Sequence, residues 1–262
     1  MGRRDLTGKR ILITGASAGV GRALAIQLAP LGTQLLLVAR REQALLELAH
    51  ELTALGAASA DFVAGDITES AVREQAARWM DDNWGGLDVL VNNAGVSAQG
   101  RFAAGHEETL RRILEVNFFA AVELTGLVAA LLRESPDSVV VNVCSILGHR
   151  GVPHNNEYCA SKFALRGWSE AVRPEFSKAG VDVLLVSPGT IATEFFDHLI
   201  AKTDATPWGK QRGIPPKKVA EQIVRALQRR KPEIYPNWRG HLFVLLNRFF
   251  PRLVDRVMRR YG

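Results

Sequence analysis

The sequence contains few of the features that would place it outside the soluble globular proteins. Its 262 residues include only two cysteines, Cys144 and Cys159, which are too few for a disulfide framework. We expect both to be reduced packing residues in a cytoplasmic protein. No apolar run approaches the ~18 residues of a membrane-spanning helix. The residues after Met1 show no separate apolar region of the kind that indicates a signal peptide.

The chain also lacks the patterns by which proteins recognise nucleic acid. Its formal net charge of +6 is compatible with an anionic ligand. However, the sequence has no helix-turn-helix, zinc-finger or RNA-recognition pattern, so we predict no nucleic-acid partner. We predict no metal site either. It has no internal repeat and no long linker, and 47% of its residues are hydrophobic and 23% charged. This composition favours one globular domain.

What the sequence does contain is an alternation of apolar, β-branched runs with helical patterns. Such alternation predicts an α/β fold with a doubly wound, seven-stranded parallel sheet and right-handed crossovers. The strands are expected at 10–14, 34–39, 60–64, 87–92, 138–144, 181–187 and 233–236, and the helices near 21–31, 42–55, 69–83, 107–134, 157–178 and 216–230.

A glycine-rich turn follows the first predicted strand. Gly15, Gly19 and Gly21 separate this strand from the helix that follows. Backbone N–H groups in such a turn can hold a pyrophosphate, and glycine allows the phosphate to approach closely. Because the spacing is Gly-x3-Gly-x-Gly rather than Gly-x-Gly-x-x-Gly, the prediction rests on the strand–turn–helix context. An ordinary strand–helix loop is the alternative.

Tyr158 and Lys162 stand four residues apart in a predicted helix, so they share one face of it. A free phenol has a pKa near ~10 and is a poor base at neutral pH. A nearby ammonium favours the phenolate and moves the group toward general acid/base catalysis. The spacing alone is also compatible with an exposed helical pair.

Together these motifs resemble the short-chain dehydrogenase/reductase family over nearly the whole chain. Thr14 and the three glycines match its cofactor turn, and the sequence Asn-Asn-Ala-Gly at 92–95 matches its signature after the fourth strand. The segment 188–193 matches the part of the family that lies against the nicotinamide. Four further residues match the order of its catalytic tetrad: Asn117, Ser145, Tyr158 and Lys162.

The resemblance implies an oxidoreductase that transfers a hydride between a nicotinamide and a carbonyl or alcohol carbon. Tyr158 is implied as the general acid/base, Lys162 as the residue that lowers its pKa, and Ser145 as a donor to the carbonyl oxygen. Asn117 would hold a water, or would be a buried amide that satisfies helix backbone. The cofactor-binding residues that we expect are Gly15, Ser17, Gly19, Val20, Gly21, Arg40, Arg41, Asp66, Ile67, Asn93, Ala94, Gly95, Tyr158, Lys162, Pro188, Gly189, Ile191 and Thr193.

The end of the second strand favours NADP over NAD. In dinucleotide folds an acid at this place binds the ribose, whereas an arginine accommodates a 2′-phosphate. The strand here ends in Arg40 and Arg41 with no acid, so we predict that Arg40 binds the phosphate with help from Ser17 and Arg41. The alternative is that both arginines lie along a solvated helix start. The resemblance places Asp66 against the adenine, although a turn or N-cap role is the alternative.

The substrate is less well defined. The stretch 191–213 contains Phe195, Phe196 and Trp208, and we expect it to border the cleft as an apolar lid or as a helix packed on the core. We expect an apolar ketone or secondary alcohol, with a ketoacyl thioester reductase or a non-catalytic NADP-binding regulatory protein as alternatives. We expect His149 and His154 to be solvated loop residues, with contact to a polar substrate group as the alternative. The resemblance implies a homodimer or homotetramer formed through the helices near 107–134 and 157–178.

We divide the chain into a dinucleotide-binding catalytic domain, 1–236, and a C-terminal helical extension, 237–262. Pro251 should split the extension into two helices. A basic amphipathic stretch of this kind can lie on an anionic membrane, or its stripe can pack on the domain or a second subunit. The apolar stripe consists of Leu242, Leu245, Leu246, Phe249, Leu253 and Val257.

Overall fold

The computed structural model describes residues 2–193, 195, 199–203 and 213–261. Seven strands form the main sheet, at nearly the predicted positions. They are β1 (Arg10–Thr14), β2 (Gln34–Ala39), β3 (Ser59–Ala64), β4 (Val89–Asn92), β5 (Ser138–Val143), β6 (Val181–Val186) and β7 (Glu233–Ile234). The helices are α1 (Gly19–Leu28), α2 (Glu42–Ala54), α3 (Ser70–Trp84), α4 (Glu107–Leu114), α5 (Ala120–Leu127), α6 (Ala129–Arg133), α7 (Asn156–Lys178), α8 (Pro216–Gln228), α9 (Trp238–Phe249) and α10 (Pro251–Met258).

The main sheet is parallel throughout, with the order β3-β2-β1-β4-β5-β6-β7. The chain winds outward from β1 to β3 and then returns to β4 on the other side of β1. This reversal opens a crevice beyond the carboxyl ends of β1 and β4, where α/β folds bind their ligands. The fold class predicted from the sequence is therefore confirmed.

Helices cover both faces of the sheet. One apolar cluster joins α1, α2 and α8 to one face, and a second joins α3, α5 and α6 to the other. The central strands are apolar without alternation because both of their faces are buried, and Ile11, Leu12 and Ile13 are fully inaccessible. This double cover fixes the carboxyl edge of the sheet as a rigid base for the loops above it.

The prediction of one helix over 107–134 is wrong, because the structure has three helices there instead of one. A π-helical turn, Glu115–Phe119, separates α4 from α5, and a break at Val128 separates α5 from α6. A π turn inserts an extra residue and rotates the side chains that follow it. Asn117 lies within this turn, and its side chain is directed away from solvent.

Pro251 is the first residue of α10, as predicted, and it separates this helix from α9. The extension contacts the domain through Gly240, Val244 and Val254, which are its buried residues. Among the described residues, no helix is both long and apolar enough to cross a membrane.

Candidate active site

The glycine turn after β1 is braced directly by the loop after β4. The Asn93 side chain donates to the carbonyl oxygens of Thr14 and Gly15, at 2.9 and 3.2 Å. The Thr14 hydroxyl in turn accepts the backbone N–H groups of Asn93 and Ala94, both at 3.0 Å. Two motifs that are 79 residues apart in the sequence therefore form one unit. Asn93 therefore braces the glycine turn itself, and no sequence pattern points to the part that the Thr14 hydroxyl plays.

The glycines of this turn are required by the fold itself. Gly15 and Gly19 have positive φ angles of 64° and 56°, a backbone region that glycine adopts without strain. A Cβ on Gly15 would lie 2.9 Å from the Ala94 Cα. A Cβ on Gly21 would lie 2.6 Å from both the Asn93 amide nitrogen and the Gly15 carbonyl oxygen. Val20 is buried in the first turn of α1, where it packs into the core.

The start of α2 supplies positive charge beside the glycine turn. The Arg41 guanidinium donates to the hydroxyl of Ser17 at 3.2 and 3.3 Å and to its carbonyl oxygen at 3.2 Å. Arg40 is exposed at the end of β2. The structure thus brings Ser17 and Arg41 together and leaves the Arg40 side chain in solvent.

Asp66 and Ile67 follow β3. The Asp66 carboxylate accepts the backbone N–H and the hydroxyl of Thr68 and forms an ion pair with Arg112. Burial raises the pKa of Asp66, but these hydrogen bonds and the charge of Arg112 outweigh burial and lower it overall. The Ile67 side chain is buried in the core. The turn role considered for Asp66 is therefore present, and its role toward adenine stays a prediction.

Asn117 connects the π turn to the loop after β4. Its side-chain oxygen accepts the Val96 N–H at 2.8 Å, and its nitrogen donates to the Val96 carbonyl at 3.0 Å and to the Ser161 hydroxyl at 2.9 Å. A Cβ on Gly95 would lie 3.3 Å from the Asn117 oxygen and 3.8 Å from the Lys162 ammonium. The Asn117 amide therefore bonds to a loop and to α7, and no sequence pattern points to Ser161 as its partner.

Ser145 is held at the carboxyl end of β5 by its two neighbours. The Cys144 N–H donates to the Val186 carbonyl at 2.7 Å, and the Ile146 N–H donates to the Pro188 carbonyl at 2.9 Å. Pro188 thereby anchors the segment after β6 beside the catalytic candidate. The Ser145 side chain also accepts the Leu147 N–H at 3.1 Å and so caps a short 3₁₀ turn, Ile146–Gly148.

Tyr158 and Lys162 lie on one face of α7 and point toward Ser145. The phenol is hydrogen-bonded to Ser145. The Lys162 ammonium lies 5.7 Å from the Tyr158 ring centroid and donates to the Val143 carbonyl at 3.0 Å. The tetrad residues Ser145, Tyr158 and Lys162 thus meet at the carboxyl edge of the sheet.

The electrostatics of this pair differ from what we expected. Burial raises the pKa of Tyr158 well above its usual value, Cys144 adds to the rise, and the hydrogen bond with Ser145 opposes it. Burial also lowers the pKa of Lys162. The ammonium does not lower the phenol pKa in the protein alone, because it lies against the ring and bonds to Val143. The phenol is therefore protonated at neutral pH.

The segment after β6 crosses the site toward the glycine turn. Thr193 comes within 3.4 Å of the place where a Gly19 Cβ would stand. Ile191 forms an isolated bridge with Ile214 and packs on the core, and Gly189 lies beside Ile146. Phe195 contacts Tyr158 edge to face, with 6.0 Å between ring centroids. Thr193 and Phe195 therefore border the cleft, whereas Phe196 and Trp208 lie outside the described residues.

The expectation that His149 and His154 are solvated is wrong, because both are 9% exposed. The His149 Nε2 lies 3.0 Å from the Ser187 hydroxyl and 3.1 Å from a Glu233 carboxylate oxygen. Burial raises the pKa of Glu233, but the hydrogen bond and charge of His149 outweigh burial and lower it overall. Sequence reasoning had no signal for this cluster, since its partners follow β6 and lie on β7.

This arrangement can donate a proton to an oxygen atom. A substrate carbonyl placed near Ser145 would meet a hydroxyl donor and a protonated phenol that are already hydrogen-bonded to each other. Such preorganised donors stabilise negative charge that develops on an oxygen. The glycine turn and the Ser17–Arg41 pair lie at the same carboxyl edge of the sheet, after β1 and β2. There they fit a phosphate-containing ligand.

Comparisons with known proteins agree with this arrangement. The family model "short chain dehydrogenase" matches residues 9–204. A hydroxysteroid 11-beta-dehydrogenase 1-like protein A from Xenopus laevis is 35% identical, with 98% of this chain and 88% of the relative covered. The ketoacyl reductase HetN of a Nostoc species is 31% identical, with 98% and 90% covered.

Solved structures give the same result. An alcohol dehydrogenase from the archaeon Thermococcus sibiricus, solved with 5-hydroxy-NADP, superimposes with a TM-score of 0.76 at 26% identity, and 87% of this chain and 95% of that chain are covered. The family binds a nicotinamide cofactor. From its motifs, its fold and these relatives, the chain belongs to the short-chain dehydrogenase/reductase family of oxidoreductases.

Proposed function

We propose that this protein is an NADP-dependent oxidoreductase that acts on a carbonyl compound or secondary alcohol with an apolar body. The observation that carries the proposal is the hydrogen-bonded pair of Ser145 and Tyr158, with Lys162 behind the phenol ring. The nicotinamide, when bound, supplies or accepts the hydride. The protein's own residues orient the substrate and move a proton.

Tyr158 is the proposed proton donor to the substrate oxygen in the direction of reduction. Its raised pKa keeps the phenol protonated at neutral pH, which is the state that a general acid requires. Ser145 would donate a second hydrogen bond to the same oxygen. Lys162 would orient the cofactor ribose and return a proton toward the phenol, with Asn117 holding the loop after β4 in place.

The fit of a dinucleotide is supported by the crevice at the sheet edge. Gly15 and Gly19, with their positive φ angles, turn the chain from β1 into the N-terminus of α1, where phosphate groups are bound in folds of this type. The preference for NADP rests on Arg40 together with the Ser17–Arg41 pair, because guanidinium groups complement a 2′-phosphate.

Two alternatives differ in substrate or activity. A ketoacyl thioester reductase is favoured by the similarity to a ketoacyl reductase. A non-catalytic NADP-binding regulator would not need the Ser145–Tyr158 pair. We also propose a cytoplasmic homo-oligomer with peripheral membrane contact through its extension. Self-association through α5 and α7 is what the resemblance to the family implies, and Leu127 and Phe163 are exposed apolar side chains on these two helices.

A screen of carbonyl compounds that follows NADPH absorbance, with NADH in parallel, tests the proposal. We expect turnover with NADPH on apolar ketones and a loss of at least about 100-fold in the Tyr158→Phe variant, since general acid catalysis contributes about 10²- to 10⁴-fold. Cofactor binding should be unchanged in this variant. If Tyr158→Phe retains turnover within a few-fold on a good substrate, the acid/base assignment is wrong.

A further inference from the structure

Helix α9 has two apolar faces, and only the narrower one packs on the domain. Gly240 and Val244 are buried, and a Cβ on Gly240 would lie 3.0 Å from a methyl group of Ile146. The other face follows the spacing i, i+4, i+7 and i+11, which places its residues in one row along the helix. These residues, with their exposed fractions, are Trp238 (70%), Leu242 (47%), Leu245 (37%) and Phe249 (68%).

Exposed apolar side chains are concentrated in this part of the molecule. Of the sixteen large hydrophobic residues that are exposed in the described part of the chain, eight lie between residues 238 and 257. A large apolar patch of this kind indicates an interaction surface, whereas single exposed residues do not. We call these eight residues the C-terminal patch. They are Trp238, Leu242, Leu245, Leu246, Phe249, Phe250, Leu253 and Val257.

The patch is surrounded by positive charge. Arg239 and Arg248 lie on either side of the apolar row of α9, about 100° and 80° around the helix from Trp238. The only acid between residues 237 and 262 is Asp255, and it is ion-paired with Arg150 at 2.6 Å. The exposed arginines therefore remain uncompensated by acids of the extension. They are Arg239, Arg248, Arg252, Arg256, Arg259 and Arg260.

We propose that α9 and α10 dock this protein on the surface of an anionic lipid bilayer. An apolar helix face flanked by arginines lies in the interface, with its apolar side chains among the acyl chains and its cations at the headgroups. A second copy of the chain is a poorer occupant. An isologous interface would bring the same arginines of both copies together, and like charges repel.

Helix α9 packs against the loop that follows Ser145. Besides the contact of Gly240 with Ile146, the Asn247 side chain donates to the His149 carbonyl at 3.3 Å. A bilayer bound to this surface would therefore adjoin the substrate cleft. We infer that the substrate is a carbonyl compound or alcohol that partitions into lipid, and this second part rests on the proposed function.

Vesicle co-sedimentation of the full-length protein tests the docking surface. We expect binding to phosphatidylcholine vesicles that contain phosphatidylserine, little binding to phosphatidylcholine alone, and weaker binding at high salt. The double variant Leu245→Glu with Phe249→Glu should abolish binding. Leu46→Glu with Phe102→Glu is the matched control, because these exposed residues (40% and 84%) lie outside the extension and the variant adds the same charge, and it should bind as the wild type does.

The contribution of charge is tested with a second pair of variants. Arg248→Gln with Arg252→Gln should weaken partitioning by about fivefold for each arginine removed, since one basic residue near an anionic surface contributes about 1 kcal/mol. The control is Arg133→Gln with Arg229→Gln, two exposed arginines of α6 and of the end of α8. Circular dichroism and thermal unfolding would confirm that every variant is folded.

The outcomes separate the two parts of the inference. Negligible binding of wild-type protein to phosphatidylserine vesicles overturns the docking surface, as does an equal loss in the control variants. If the Leu245/Phe249 variant instead converts a dimer to a monomer without vesicles, a second copy covers the patch. Since binding needs neither cofactor nor substrate, a failed activity screen leaves this result intact. If vesicles do not raise turnover of a lipophilic ketone in the wild type, the inferred substrate class is wrong.

Discussion

The substitution Gly21→Ala tests whether the cofactor turn depends on the close contact of two loops. Gly21 lies in α1, so the helix backbone itself tolerates alanine. The new Cβ would stand 2.6 Å from the Gly15 carbonyl oxygen and 2.6 Å from the Asn93 amide nitrogen. Real Cβ atoms essentially never come closer than 3.0 Å to such atoms, so one of these groups must move.

The expected cost follows from which groups move. The Asn93 amide holds both Thr14 and Gly15, so its displacement loosens the β4 loop from the turn. Overpacking of this kind typically costs about 1–3 kcal/mol. If the turn is restored only on cofactor binding, the same free energy weakens NADPH binding by about 5- to 150-fold.

Gly167→Ala is the matched control for this variant. Gly167 also lies in a helix, α7, but a Cβ there would meet nothing within 4 Å. Because alanine is the better helix former, this control should be more stable by about 0.5–1 kcal/mol. Urea unfolding and NADPH fluorescence titration measure both effects. If Gly21→Ala is as stable as the wild type and binds NADPH within twofold, the two loops do not constrain the cofactor turn as we describe.

Three further substitutions test other parts of the structure. Arg40→Ala should weaken NADPH binding by about 10-fold and leave NADH unaffected, because one charge-assisted hydrogen bond contributes about 1.5 kcal/mol; equal losses for both cofactors would contradict the 2′-phosphate assignment. In Gly148→Ala the new Cβ would stand 2.8 Å from the Lys162 carbonyl oxygen and would displace this residue. The kcat should therefore fall while the affinity for the cofactor stays unchanged, and an unaltered kcat would contradict the placement of Lys162. Burial raises the pKa of Asp88, but hydrogen bonds led by Arg10 hold it well below its usual value, so Asp88→Asn should lower the free energy of unfolding by about 3 kcal/mol at neutral pH. Because the folded-state pKa is the lower one, this difference should shrink in urea melts below about pH 4, and a difference that is constant with pH would refute it.

The features that could be predicted from the sequence are local or periodic. Strand positions followed from apolar runs, and the split of the extension followed from Pro251, because a proline cannot continue a preceding helix. The glycine turn was recognised because positive φ angles restrict residue choice at positions such as Gly15 and Gly19. The order of tetrad residues identified the family.

The features that could not be predicted depend on partners distant in the sequence. The π turn around Asn117 has no sequence signal, and its role becomes visible only when the amide meets Val96. His149 is buried against Ser187, which follows β6, and Glu233, which lies on β7, and both are distant from it in the sequence. The pKa of Tyr158 rises because burial outweighs the hydrogen bond with Ser145, and the i, i+4 spacing to Lys162 could not show this burial.

The C-terminal extension shows the same division most clearly. Its amphipathic period and its excess of arginine are properties of the sequence alone, because side-chain direction along a helix repeats every 3.6 residues. Which of the two apolar faces of α9 is covered was decided by tertiary structure, since the face that carries Gly240 packs closely against Ile146. The sequence by itself therefore determined the fold, the family and the helices of the extension. The tertiary structure decided which groups meet at the site and which apolar face remains exposed, because burial depends on neighbours that are distant along the chain.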